Sequence, residues 1–234
     1  MKKKNIFCFI FARGGSKGIK NKNLSKLNRK PLLHYSINLA KKIKAIKKIY
    51  VSTDSKVIAT YAKKKGADII KRPKKISGDN SKEIDAWKHA IKYLRNKKIF
   101  FDNFLSLPTT SPLRTKNDVI KSINMLKGKT DIILTANKSK RNPWFNMVKK
   151  NKKGFYEIVI KSTKNIHNRQ LAPKVLDLTT AAYVSRAKYI MKAKSYFDGN
   201  VKINLIPLER SLDIDSKEDL NYAEYLMKSR KKNR

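Results

Sequence analysis

The sequence predicts an α/β protein built on a doubly wound, mostly parallel sheet, and three observations support this fold class. Residues 6–12 form an unbroken apolar run, which is typical of a strand buried on both faces. Strand and helix patterns then alternate up to residue 135, and strands joined through helices form right-handed βαβ units. With 234 residues and 40% hydrophobic content the chain can bury a sizeable core, so we predict a single domain over residues 1–234.

Local periodicity predicts the individual elements. Apolar residues at helical spacing indicate helices, and short apolar runs bounded by polar residues indicate strands. Pro31 lies in a first helical turn, where its missing N–H is tolerated, and Gly66 closes the second helix. The predicted helices are residues 31–40, 57–65, 84–94 and 117–127, and the strands after the first are residues 49–54, 68–71, 104–107 and 131–135.

The second half of the chain is patterned less regularly. Residues 142–145 and 154–160 alternate and carry aromatic side chains, which suits a small β excursion outside the main sheet. Asp118 is placed to favour the positive end of the fourth helix. We expect a last strand at residues 212–215, followed by a helix that runs through Lys228.

The loop after the first strand has the composition of an anion-binding loop. Gly14 and Gly15 let the backbone approach a ligand, and Arg13, Lys17 and Lys22 add positive charge. The glycine spacing matches neither the P-loop nor the G-x-G-x-x-G pattern. Since ligands of parallel sheets bind beyond the carboxyl ends of strands, we predict a phosphate-rich nucleotide there.

Composition leaves one alternative of a different class. The formal net charge of +40 would suit a nucleic-acid-binding protein. Lysine is spread through nearly every segment and is not gathered into one stripe, so we expect no specific nucleic-acid partner. The single cysteine, Cys8, lies in the apolar run and is expected to be an inert core thiol. No segment approaches the roughly 20 apolar residues of a membrane span, so we expect no membrane association and a cytoplasmic location.

Several separated motifs, in the right order, resemble those of the acylneuraminate cytidylyltransferases, which make CMP-sialic acids and related CMP-nonulosonates. Residues 12–23 match the pattern A-R-x-x-S-K-G-x-x-x-K-N, and residues 51–54 read V-S-T-D. The remaining motifs are Arg72-Pro73 with a downstream Asp79, residues 108–114, the R-Q-x-x-P segment at residues 169–173, and residues 211–224. The resemblance implies a Rossmann-like nucleotidyltransferase fold with a dimerisation arm at about residues 138–170, and hence a homodimer.

The resemblance assigns residues to the CTP side of a two-substrate site. Arg13, Lys17 and Lys22 would neutralise the triphosphate and the leaving pyrophosphate. Arg72 would lie near cytosine, where a guanidinium can donate to O2 and N3. The residues that the resemblance implies for CTP binding are Arg13, Gly14, Gly15, Ser16, Lys22, Asn23, Arg72 and Ser81.

It also assigns residues to the acceptor side. Arg169 would hold the sugar carboxylate through a bidentate pair. The other implied sugar-binding residues are Thr109, Thr110, Ser111, Thr180 and Tyr183. Pro108 stands where the family has a Gln, and Thr179-Thr180 replaces an Asn-Gly pair, so the acceptor is expected to be a relative of N-acetylneuraminate, such as a legionaminic acid.

Near the carboxyl end, Asp213 and Asp215 resemble the family's metal-binding pair. On a strand the two carboxylates would share one face and could bind Mg²⁺ or Mn²⁺. The alternative is that Asp215 or Ser216 caps the last helix and that Asp213 is incidental. No general base can be identified from the sequence.

The resemblance therefore implies an enzyme that transfers CMP from CTP to the anomeric hydroxyl of an anionic nonulosonic acid. The catalytic residues would be Arg13, Lys17, Lys22, Asp213 and Asp215. A 3-deoxy-octulosonate cytidylyltransferase, which shares this chemistry, is the alternative within the same class.

Overall fold

A seven-stranded sheet forms the centre of the protein, seen in a computed structural model that describes residues 5–15, 18–78, 81–163 and 166–232. The strand order is β11-β7-β10-β6-β1-β4-β5. The strands are β1 (Ile6–Phe11), β2 (Lys26–Leu27), β3 (Lys30–Pro31), β4 (Ile46–Thr53), β5 (Asp68–Lys71), β6 (Asn103–Ser106), β7 (Ile132–Lys138), β8 (Val148–Lys150), β9 (Tyr156–Ile158), β10 (Leu176–Arg186) and β11 (Val201–Leu205).

The sheet is mostly parallel, as predicted. β1 pairs in parallel with β4 and β6, β4 with β5, and β7 with β11. β10 is the exception, since it runs antiparallel between β6 and β7. The predicted fold class is confirmed, although the sequence patterns predicted neither β10 nor β11.

Helices cover both faces of this sheet. The four predicted helices are present with ends shifted by one or two residues, and the short α5 was not predicted. The helices are α1 (Leu32–Lys41), α2 (Lys56–Lys64), α3 (Glu83–Asn96), α4 (Lys116–Met125), α5 (Ala187–Lys192) and α6 (Lys217–Lys232). No helix in the described part of the chain is long and apolar enough to cross a membrane.

The side chains of β1 alternate between two core layers, which explains its unbroken apolar run. Cys8 and Ile10 pack with residues of α1, α2 and α4, whereas Phe7 and Phe9 pack with α3 and α5. Burial raises the pKa of the Cys8 thiol to about 12, in accord with the inert role expected for it. Both faces of the strand are thus held by helices, and its carboxyl end is fixed in position.

The irregular part of the chain contains the predicted β excursion. β8 and β9 form an antiparallel two-stranded hairpin separate from the main sheet. Phe155 and Tyr156 at its end are 71% and 70% exposed.

The prediction of a strand at residues 212–215 is wrong. These residues pair with no described strand, and a backbone hydrogen bond from the Ile214 N–H to the Thr110 carbonyl, 2.9 Å, holds them in position. Ile214 is fully buried in a small apolar cluster with Leu32 and Ala223. Asp213 and Asp215 therefore lie on either side of the buried Ile214 and do not project from a strand.

Candidate active site

A cavity of about 590 Å³ opens where β1, β5 and β6 end. It lies beyond the carboxyl ends of parallel strands, as the fold class predicts. Four basic and two acidic residues are among its described lining residues, which favours an anionic ligand. The lining is formed by Phe11, Arg13, Gly18, Lys22, Asn23, Arg72, Ile76, Gly78, Ser81, Lys82, Glu83, Ala86, Pro108, Thr109, Thr110 and Asp215.

The loop after β1 is held by hydrogen bonds to neighbouring strand ends. The Gly14 N–H donates to Asp54 Oδ1 at 2.9 Å, which ties the loop to the end of β4. Asn23 is buried, donates to the Arg13 carbonyl at 2.8 Å and accepts from the Thr109 hydroxyl. Gly14 and Gly15 are not among the described residues that line the cavity. The predicted residues Ser16 and Lys17, and also Asp79, lie outside the described residues.

Lys22 and Asp215 meet across the cavity. Lys22 Nζ lies 2.7 Å from Asp215 Oδ1, although the two residues are far apart in the chain. Gly18 allows this approach, because a Cβ at that position would lie 2.3 Å from the Asp215 carbonyl oxygen. The phosphate-binding loop and the carboxyl-terminal Asp pair are thus parts of one site.

Two arginines meet at the other side of the cavity through Ser77. Arg13 Nη1 donates to the Ser77 carbonyl at 3.3 Å, and Arg72 Nε donates to Ser77 Oγ at 3.2 Å. Burial lowers the pKa of Arg72, and the nearby carboxylate of Asp54 partly offsets this. Ser81 also lines this region, so the structure brings the predicted base-side residues together.

Glu83, the first residue of α3, lines the cavity near Arg72 and was missed by sequence reasoning. Burial raises the pKa of its carboxyl group. A hydrogen bond from Tyr196 and the positive charge of Arg72 lower that pKa but offset the effect of burial only in part. An acidic residue at the start of a helix is common, because it favours the positive end of the helix dipole. The sequence therefore carried no separate signal for a cavity position.

Hydroxyl groups of the segment after β6 form the next wall. Thr109 and Thr110 line the cavity, and Ser111 Oγ lies 2.7 Å from Thr180 Oγ1. Arg114 is buried beneath the segment and donates at 2.7 Å to the carbonyls of Pro108 and Ser111. Burial lowers the pKa of Arg114 to about 10. The segment is thereby fixed from inside the protein.

Two predicted sugar-binding residues are placed elsewhere, and neither is among the described lining residues. Tyr183 is buried against Trp87 and Tyr196, with ring centroids 5.2 and 5.6 Å apart, and burial raises its pKa. Arg169 is exposed and donates to the Lys140 carbonyl at 2.6 Å. A contact of either residue with a sugar stays a prediction.

The carboxylates of Asp213 and Asp215 fit a divalent cation. Ser216 caps α6, since its hydroxyl accepts from the Asp219 N–H at 3.1 Å, so Asp215 is not used as the cap. Asp213 Oδ1 is buried and has no hydrogen-bond partner among the described residues. A buried carboxylate oxygen without a partner is costly unless a ligand satisfies it. No group of three His, Cys, Asp or Glu in the described part of the chain could hold a metal, so a bound cation would need oxygens from a ligand.

Comparison with known proteins gives whole-length matches. A family model described as cytidylyltransferase matches residues 7–230. The chain is 34% identical to the CMP-N,N′-diacetyllegionaminic acid synthase of Campylobacter jejuni, over 95% of this chain and 94% of that protein. It is 33% identical to the post-translational flagellin modification protein B of Campylobacter coli, over 96% of each chain. Among solved structures, CMP:2-keto-3-deoxy-manno-octonic acid synthetase complexed with CTP superposes with a TM-score of 0.70 at 15% identity, covering 97% of this chain and 99% of that one.

Proposed function

The chain belongs to the cytidylyltransferase family, and from that premise we propose that it transfers CMP from CTP to the anomeric hydroxyl of a nonulosonic acid, releasing pyrophosphate. The observation that carries this proposal is the basic cavity beyond the carboxyl ends of β1, β5 and β6, whose lining includes residues from four separate sequence motifs. The whole-length similarity to a legionaminate-activating enzyme supports the acceptor class.

CTP would lie along the cavity, with its triphosphate beside Arg13 and Lys22 and its base beside Arg72. Phosphoryl transfer of this kind needs in-line positioning and charge neutralisation more than covalent chemistry. Arg13 and Lys22 would stabilise the charge that develops on the phosphates and on pyrophosphate as it leaves. Lys22 pairs with Asp215 at 2.7 Å, and we propose that its ammonium exchanges that carboxylate for phosphate oxygens when CTP binds.

We assign Asp213 and Asp215 as the residues that would hold Mg²⁺ or Mn²⁺. Such an ion, when bound, neutralises phosphate charge and makes an attacking hydroxyl more acidic. The buried, unpartnered Oδ1 of Asp213 and the exposed carboxylate of Asp215 support this assignment.

The acceptor would approach from the hydroxyl-lined wall. Thr109 and Thr110 line the cavity, with Ser111 and Thr180 hydrogen-bonded behind them. These groups can donate to and accept from a polyhydroxylated sugar. The cytoplasm, where CTP is available, remains the expected compartment.

We further propose a homodimer formed through the β8–β9 hairpin. An isolated two-stranded hairpin is marginally stable in water, and here its exposed aromatic residues Phe155 and Tyr156 would be covered by a second copy. Arg169 follows the hairpin and is not among the described lining residues of the cavity of its own chain. The arm would therefore bring Arg169 to the sugar carboxylate in the cavity of the partner.

Pyrophosphate release tests the proposal directly. The full-length protein is incubated with Mg²⁺, each of the four nucleoside triphosphates in turn, and a panel of acids. We expect release with CTP and a nonulosonic acid such as N,N′-diacetyllegionaminic acid, and little with 3-deoxy-octulosonate. Turnover of CTP with 3-deoxy-octulosonate alone would support the alternative acceptor, and no turnover of CTP with any acid would contradict the proposed function.

A further inference from the structure

Glu83 is a carboxylate in the wall of a cavity that otherwise suits anions. It and Asp215 are the two acidic residues among the described lining residues. Asp215 is paired with Lys22, which links it to the phosphate-binding loop. Glu83 instead begins α3, on the side of the cavity formed by Arg72 and Ser81. Asp215 has Lys22 as its basic partner, whereas the charge of Arg72 acts on Glu83, so a ligand group other than the triphosphate would suit Glu83.

Buried aromatic residues hold the Glu83 carboxylate in place. The Tyr196 hydroxyl donates to Glu83 Oε2 at 2.8 Å. The Tyr196 ring packs against Trp87, with ring centroids 5.2 Å apart, and Trp87 is fully buried. One hydrogen bond uses only part of the acceptor capacity of a carboxylate. Glu83 can therefore accept a further hydrogen bond from a group in the cavity.

Arg72 supplies the complementary donor. It is buried, and Ser77 occupies its Nε, so a ligand hydrogen bond would come from the Nη nitrogens. The charges of Arg72 and Glu83 are close enough to affect each other's pKa. The wall thus offers one fixed donor and one fixed acceptor to the edge of a planar ligand.

This pair matches cytosine and mismatches uracil. Cytosine presents an amino group at C4 beside the acceptors N3 and O2, whereas uracil presents a carbonyl at C4 beside an N3–H donor. We propose that Glu83 selects cytosine by accepting a hydrogen bond from its exocyclic amino group while Arg72 donates to the acceptor edge. The inference rests on the proposed function, and it assigns the preference of the enzyme for CTP over UTP to Glu83. Uracil would place its O4 against the carboxylate and its N3–H towards the guanidinium, which could then donate only to O2; a site built from polar groups rejects such a mismatch strongly.

Equilibrium binding of CTP and UTP to the full-length protein tests this. In Glu83→Gln the amide can donate to O4, so the preference for CTP over UTP should fall at least about tenfold. Asp85→Asn is the matched control, since Asp85 is an exposed acidic residue in the same first turn, and it should leave the preference unchanged.

The ratio of the affinities for CTP and UTP distinguishes recognition of the base by Glu83 from a purely structural role of Glu83. If Glu83 only anchored Tyr196, its substitution would weaken the binding of both nucleotides alike, and Tyr196→Phe would have the same effect. Equal affinity of the wild type for CTP and UTP, or a ratio in Glu83→Gln within about twofold of the wild type, would overturn the proposal. The proposed function fails separately, through the absence of CTP turnover with every acid, because binding requires no acceptor.

Discussion

Arg13 and Lys22 reach the cavity from one loop but are held differently. Arg13 donates a hydrogen bond to the Ser77 carbonyl, whereas Lys22 is paired with Asp215. Arg13→Ala or Lys22→Ala should each lower kcat/KM for CTP by about 100-fold or more, the usual cost of removing a group that stabilises transition-state charge. Steady-state kinetics and thermal unfolding measure the two effects.

The matched control is Lys20→Ala, an exposed lysine of the same loop that is not among the described lining residues. It should behave like the wild type. All variants should unfold at nearly the wild-type temperature, because neither side chain is part of the buried core. Wild-type kinetics in both Arg13→Ala and Lys22→Ala would show that the loop does not bind the triphosphate.

The close approach of Gly18 to Asp215 leads to a second prediction, which concerns the turnover rate of Gly18→Ala. A Cβ there would lie 2.3 Å from the Asp215 carbonyl, so Gly18→Ala must move the loop or the Asp213–Asp215 segment. Displacement of reacting groups by about 1 Å can cost about 100-fold in rate, and we expect a loss of 10- to 100-fold in kcat, roughly. Gly128→Ala is the contrast, since Gly128 has φ +55° far from the cavity and should cost about 1 kcal/mol of stability with no change in kcat. Equal kcat for Gly18→Ala and the wild type would contradict the close approach.

At the scale of elements, the sequence predicted those whose own pattern determines them. The apolar run of β1 and the helical spacing of α1 to α4 are local signals, and all five elements are present. β10 was not predicted, because an antiparallel strand inserted between β6 and β7 depends on pairing with residues distant in sequence. The 212–215 segment has the alternation of a strand, but the burial of Ile214 against α1 and α6 produces that pattern without any sheet.

The same distinction applies to the candidate site. Residues 12–23 and Arg72 were found from motifs, and the structure brings those that it describes to one cavity. Glu83 was not found, because its role depends on Tyr196 being folded against it from another part of the chain. Tyr183 and Arg169 were placed by motif alone, which carries no information on whether a side chain faces the core, the solvent or a ligand.

Asp118 joins the start of α4 to Arg210, which shortly precedes Asp213 and Asp215 in the chain. It forms a capping box with Thr115 at the start of α4 and a bidentate pair with Arg210, with both N···O distances 3.0 Å. Burial alone would raise the pKa of Asp118, but the hydrogen bonds from Arg210 and Thr115 outweigh it and hold the pKa below its usual value. Asp118→Asn should therefore lower the free energy of unfolding by about 2 kcal/mol at neutral pH, as a weakened cap and a lost ion pair would.

The pH dependence of this loss has a defined sign. A carboxyl group with a lowered pKa in the folded state contributes stability above its unfolded pKa of 3.8, and that contribution disappears as the pH falls through the lower folded value. Denaturant titrations should show wild type and Asp118→Asn converging below about pH 3.8. The exposed pair of Lys48 and Asp68 is the control, since Asp68→Asn should cost under about 1 kcal/mol at any pH. A loss in Asp118→Asn that is no larger than in Asp68→Asn would show that the pair contributes little.

At the scale of the whole molecule, no described residue of the hairpin arm lines the cavity. The cavity lies at the carboxyl edge of the sheet, and the arm carries exposed Phe155 and Tyr156 together with the exposed Arg169. A symmetric dimer through the arm would place the same patch on both copies, so each copy would contribute to the site of the other. Such a dimer accounts both for the exposed aromatic residues and for the absence of Arg169 from the described lining of its own cavity.

Mixing of two inactive variants tests this arrangement. Lys22→Ala removes a nucleotide-side residue and Arg169→Ala an acceptor-side residue, and each variant alone should be nearly inactive. If the sites are shared, co-expression makes about half of the dimers mixed, and each mixed dimer has one intact site, so about one quarter of wild-type activity should return. Light scattering should give twice the mass of one chain for the wild type and for the mixture. Activity of the mixture no higher than that of the separate variants would mean that Arg169 serves its own chain or no site at all, whereas a monomeric mass would exclude the dimer itself.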